Sequence, residues 1–132
     1  VKVGAVFDTS ALLAHVRVER VSAGELIAVV AENGDVTGVP ALAVLDALPD
    51  LDKDERQLLV RMLTDTAEAE ATVILPLSGP DLLDVDRLTS IVGGRGTAQA
   101  VLEAHKNGTS LATCRPEDIV DVMHPDDVVQ LS

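Results

Sequence analysis

Asp8 ends an apolar run, Val3 to Phe7, and is followed at once by Thr9, Ser10 and Ala11. In an open α/β sheet, ligands sit outside the carboxyl ends of the strands, so an acid there faces a crevice in which it can do chemistry. A second stretch with chemical potential is Gly93-Gly94-Arg95-Gly96-Thr97. If it opens a helix, its backbone amides can cradle an anion, with Arg95 adding charge. It lacks the Lys-Ser/Thr ending of a P-loop and follows a helical pattern rather than a strand, so a plain connection is the competing reading. His15, His105 and His124 are widely spaced and none has a second His or Cys at a zinc-ligand separation. Cys114 is read as a small core residue, with a lowered pKa only if neighbouring Arg115 acts on it.

These residues need a scaffold, and the chain alternates strand and helix patterns. Strands are expected at Val1 to Phe7, Asp35 to Val39, Thr72 to Leu75, Ser110 to Thr113 and Val128 to Leu131. The run at Thr72 reads as central and that at Val128 as an edge. Helices are expected from Ser10 to Arg17, capped by Thr9 or Ser10, and after Ser22, where Ala23, Leu26, Ile27 and Val30 recur at i, i+3, i+4 and i+7. Further helices follow Pro40 (apolar at Leu42, Leu45 and Leu48, stopped by Pro49) and Asp52 (a stripe of Leu58, Leu59, Met62, Leu63 and Thr66, frayed at Glu68 to Ala71). The last helices run over Asp81 to Val92, from a Thr97 cap (facing Ala98, Val101, Leu102 and His105) to a left-handed end at Asn107-Gly108, and over Pro116 to Met123. Crossovers long enough for helices predict a three-layer α/β/α sandwich around a mainly parallel sheet of about four to five strands.

The 132 residues fit a single domain, 1–132. Trp and Tyr are absent and Phe7 is the one aromatic residue, so the core must be built from Val, Leu, Ile and Ala. No apolar run reaches the roughly 18 residues of a membrane helix. The apolar run after Lys2 is broken by Asp8, so no secretion signal is expected. A lone cysteine excludes an intrachain disulfide and fits a cytoplasmic protein. The net charge of −12 opposes general affinity for nucleic acid. It does not exclude a nuclease, because screening limits distant charges and metal ions bridge acid to phosphate.

Three motifs coincide in order: Phe-Asp-Thr-Ser-Ala at 7–11, Val-Pro-Ala-Leu-Ala-Val-Leu-Asp at 39–46, and Leu-Ala-Thr-Cys-Arg-Pro-Glu-Asp at 111–118. Over nearly the whole chain this set resembles the PIN domain, and is most similar to the small PIN toxins of bacterial toxin-antitoxin pairs. The resemblance implies a metal-dependent ribonuclease in which clustered acids hold Mg²⁺ or Mn²⁺ and the metal activates water. Such ions want hard oxygen ligands, which carboxylates supply. It implies Asp8 as the first catalytic and metal-binding acid and Asp46, one methylene shorter than the usual Glu, as the second; Ser10 would help order metal or phosphate.

The other two positions depart from the pattern. The third acid should open the helix that ends at Gly108, which falls on or near Thr97, and no acid stands between Asp86 and Glu103. The fourth should follow Thr113 in a Thr-x-Asp pattern, and Arg115 stands there. A guanidinium about 5 Å from a divalent ion costs about 7 kcal/mol at an effective dielectric of about 20. The expectation is therefore a degenerate site in which Arg115 reaches Asp8, and Asp46 with it, as an internal counter-ion. The alternative has Arg115 in solvent beside Glu117 or Asp118. Function then divides three ways: a PIN-like binding or regulatory protein, with an antitoxin-like partner or a homodimer; an active Mg²⁺ ribonuclease, whose partner is RNA; or a phosphate or nucleotide module in which Arg95 and Arg115 converge beside Ser10 and Thr97.

Overall fold

The computed structural model describes residues 2–64 and 71–132. Five parallel strands form one sheet: β1 (Val3–Phe7), β2 (Val36–Pro40), β3 (Thr72–Leu75), β4 (Ser110–Thr113) and β5 (Val128–Gln130), in the order β3-β2-β1-β4-β5. Among the described residues six α-helices connect them: α1 (Thr9–Val16), α2 (Val21–Glu32), α3 (Ala41–Ala47), α4 (Lys53–Thr64), α5 (Leu82–Val92) and α6 (Arg95–Asn107). The architecture is the expected α/β/α sandwich. None of these helices is long and apolar enough to cross a membrane.

Alternation along the strands divides the core between two faces. Val6 and Leu111 point into one apolar cluster with Val85, Val92, Ala98 and Val101 of α5 and α6. Their neighbours Phe7 and Ala112 point the other way, with Ala11 of α1 and Ala23 of α2. Val39 joins Leu12 and Val16 of α1 and Leu59 and Met62 of α4 on that second side. A register shift between Val3 and Ala5 carries Val3 to the same side as Val6, despite their odd spacing.

Several expectations are corrected. The strand at Thr72 lies at the sheet edge, not its centre, and leaves Val73 and Ile74 exposed. Its β-branched composition marks a strand without saying which neighbours it has. Asp8, not Thr9 or Ser10, caps α1. Ser22 lies within α2, which starts after extended Arg20, and its hydroxyl donates to the Ser132 carbonyl at 2.8 Å. Leu45 and Leu58 are exposed, and so is His105, because Gln99 and Glu103 take buried positions on α6 instead. Pro116 opens only a 3-10 turn, Pro116–Asp118, in place of a helix. Thr66 and the helix end expected at 68–70 lie outside the described residues.

The Asp52 cap is present in full. Its Oδ1 accepts from Glu55 N at 2.8 Å while Glu55 Oε1 accepts from Asp52 N at 2.9 Å, a reciprocal box that satisfies two otherwise orphaned amides. Asp52→Ala is expected to lower stability by about 1 kcal/mol in urea unfolding; an unchanged midpoint would mean that packing of Leu59 and Met62 alone holds α4.

Candidate functional site

The strand order reverses between β1 and β4, and the crevice of a doubly wound sheet opens at such a point. β1 ends at Phe7 and β4 at Thr113, so Asp8, Ser10, Thr113, Cys114 and Arg115 gather there. A cleft of about 400 Å³ is lined by Thr9, Ser10, Leu13, Thr97 and Arg115, with Gly93 and Gly94 at its far wall.

Asp8 itself is not open to that cleft. It is 2% exposed. Its Oδ1 accepts from Ser10 Oγ at 2.7 Å and from Ala11 N at 2.9 Å, which makes it the N-cap of α1. Ser10 Oγ in turn accepts from Cys114 N at 2.9 Å, and Thr113 Oγ1 accepts from Arg115 N at 2.9 Å. The result is a closed polar network that ties the start of α1 to the end of β4. Burial raises the Asp8 carboxyl above its ordinary pKa; hydrogen bonds from the Thr113 and Ser10 side chains and the Ala11 and Ser10 amides oppose the shift without cancelling it.

Arg115 does not reach Asp8. Its Nε lies 3.0 Å from Asp118 Oδ2 and 3.8 Å from Glu117 Oε1, so the solvent-side alternative is the one observed. The turn begun by Pro116 brings Asp118 back beside Arg115, while Asp8 Oδ1 is already engaged by Ser10 Oγ and Ala11 N. Nor does Arg115 lower the Cys114 pKa: burial raises it, Asp8 adds to the rise, and the cation that opposes it is Arg20.

A counter-ion is present at the other acid, in a pair at the surface, with the Arg95 side chain 54% exposed and that of Asp46 25% exposed. Asp46 Oδ1 accepts from Arg95 Nε at 2.7 Å, and its Oδ2 accepts from Gly96 N at 2.9 Å. Helix α6 begins two residues before the expected Thr97 cap because Gly93, at φ 88°, ends α5 left-handed and Gly94 resumes in extended conformation as the N-cap. Glycine has no side chain with which to cap. The carboxylate of Asp46, carried on α3, fills that role and meets the positive end of the helix dipole. Within Gly93 to Thr97, Gly96 N and the Arg95 side chain are thus occupied by the protein's own carboxylate. Arg95 and Arg115 are committed to different acids.

Three residues position the site in ways that the sequence does not indicate. Gln99, fully buried, accepts from Leu42 N at 2.8 Å and donates to the Leu75 carbonyl at 3.1 Å, fixing α6 against the start of α3 and the end of β3. Thr113 was visible only as a strand residue. Gly96 lies where α6 meets Ala43 and the enclosed Thr9 hydroxyl, which has no hydrogen-bond partner among the described residues. Among the described residues no three His, Cys, Asp or Glu side chains gather so that they could hold a metal ion. No family model matches the chain, and no curated protein matches it.

Proposed function

We propose that this chain is a PIN-like domain in which metal-dependent nuclease chemistry has been lost, retained as a protein-binding or regulatory module of the toxin-antitoxin type in a reducing cytoplasm. The observation that carries this reading is the engagement of both Asp46 oxygens by Arg95 and Gly96. A Mg²⁺ or Mn²⁺ site needs carboxylate oxygens that are available and convergent. Here one acid is sealed in a helix cap and the other is neutralised by an arginine, so the donor set does not fit the ion. Freeing Asp46 from the half-exposed Arg95 and the Gly96 amide costs about 1 kcal/mol, before the further cost of breaking the cap to expose Asp8. The same contact argues against a phosphate or nucleotide pocket built on Arg95.

The test is cleavage of a single-stranded RNA with millimolar Mg²⁺ or Mn²⁺, comparing the wild-type chain with Asp46→Asn, which keeps an acceptor for Gly96 N. The expected result is the same background cleavage for both, with no rise in melting temperature on adding Mn²⁺. Metal-dependent cutting that Asp46→Asn abolishes would overturn the reading and restore the active ribonuclease.

A further inference from the structure

The chain carries a net charge of −12, yet among the described residues one surface depression has only cations in its charged lining. Lys53, Arg56, Gln57, Val60 and Arg61 of α4 line it, with Leu51 at its floor, and it encloses about 660 Å³. The α4 residues recur at i, i+3, i+4, i+7 and i+8, which puts them on one helix face, opposite the Leu59 and Met62 that enter the core. Val60, at the middle of that face, is 56% exposed, while Leu51 below it is 5% exposed.

The cations here differ from four others of the chain. Arg87, Arg95, Lys106 and Arg115 each lie against an acid, at Asp84, Asp46, Asp81 and Asp118. Among the described residues no acid pairs with Lys53, Arg56 or Arg61. Arg56 is held in place instead: its Nε and Nη2 donate to the Leu48 carbonyl at 3.1 and 2.8 Å, and its Nε also to that of Leu51 at 3.2 Å. This anchoring presets the guanidinium and leaves Nη1 for an incoming acceptor, which reduces the ordering cost of binding. Of the acids near the start of α4, Asp52 and Glu55 are engaged with each other's backbone and Glu55 with Arg17 at 3.5 Å, while exposed Asp54 does not line the groove.

We propose that this α4 groove docks an acidic amphipathic peptide segment of a partner protein, its carboxylates meeting Lys53, Arg56 and Arg61 and one apolar side chain covering Val60 and Leu51. Charge complementarity selects the acids, and the apolar floor selects the anchor between them. A nucleic-acid strand fits less well: the groove has no aromatic side chain on which a base could stack, and the net negative charge repels a long polyanion. A second copy of this acidic chain meets the same long-range repulsion over its whole surface. This inference stands on α4 alone and does not depend on the PIN-like reading of the crevice.

The test is fluorescence anisotropy with a labelled alanine-based helical peptide of about 15 residues, carrying glutamates on either side of a single leucine, and with its lysine counterpart. The glutamate peptide is expected to bind, more tightly at low salt, and the Kd is expected to rise about tenfold in Lys53→Gln/Arg61→Gln and severalfold in Val60→Ser. Arg115→Ala, in the crevice, should leave it unchanged. All four positions are exposed at the surface, and circular dichroism checks that each variant folds. Equal binding of the two peptides, or equal binding by the wild-type chain and the double variant, overturns the proposal. So does tighter binding of a poly-U oligonucleotide that the double variant abolishes, or a dimer in sedimentation that it dissolves, since either would give the groove to another occupant.

Discussion

Asp8→Ala is expected to destabilise the fold by about 3 kcal/mol, the sum of a lost N-cap and of buried donors left without an acceptor. Ala11 N and the Ser10 hydroxyl both donate to the carboxylate, at 2.9 and 2.7 Å, and the amide of fully buried Ala11 has no water to turn to. Ser10 also receives Cys114 N, so the loss spreads from α1 to the end of β4. Asp8→Asn should be far milder, because its amide oxygen still accepts from Ala11 and Ser10. The two variants separate a polar cap from a charge.

Acidity makes the same point with a definite sign. The folded Asp8 has a raised pKa, chiefly from burial. Between the unfolded value of about 3.9 and that raised value, the folded state holds more protons than the unfolded chain. Stability from this group is thus fully present below the unfolded pKa and lost as pH rises through the folded one. Asp8→Asn lacks this contribution. Urea unfolding of both proteins across the acid to neutral range should give a wild-type stability that falls relative to Asp8→Asn as pH rises. A difference that grows with pH would mean that the hydroxyls and amides hold Asp8 ionised, as a metal ligand would be.

Much of the scaffold was readable because it rests on local patterns. The short β-branched runs, the box at Asp52, the turn at Asn33-Gly34 and the left-handed end at Gly108 each depend on a few neighbouring residues, and each is where the sequence places it. What the chain could not reveal was decided between distant segments. Thr72 to Leu75 is a good strand anywhere in a sheet, and only the return of the chain to place β4 beside β1 makes it an edge. The expected pairing of Arg115 with Asp8 is absent, and a different arginine, Arg95, meets Asp46. Arg115 is turned outward by the Pro116 turn, whereas Arg95, 49 residues along the chain from Asp46, is delivered to that acid by a helix start after Gly94. Charge and residue type identified the candidates; backbone geometry chose the pairs.

Gly96 shows how far tertiary contact can reverse a local rule. It lies in the first turn of α6, and helix propensity alone predicts that Gly96→Ala stabilises the protein by about 1 kcal/mol. A Cβ at this position would instead stand 2.8 Å from Ala43 Cα and 3.1 Å from Ala43 N, and press directly on Thr9 Oγ1. The Thr9 side chain could turn away, but the α3 backbone could not. Relief requires α6 to move off α3, with the loss of close packing along their contact. A net loss of about 2 to 3 kcal/mol is therefore expected in urea or thermal unfolding. Gly94→Ala, where nothing lies within 4 Å of the added carbon, should cost less than about 1 kcal/mol, the ordinary difference at an N-cap. Adding Thr9→Ala to Gly96→Ala should recover little, because the contact with Ala43 remains; full recovery would place the constraint on the threonine instead. The same displacement draws Gly96 N and Arg95 away from Asp46, so a glycine whose sole virtue is the absence of a side chain sets whether that carboxylate stays held inside the protein.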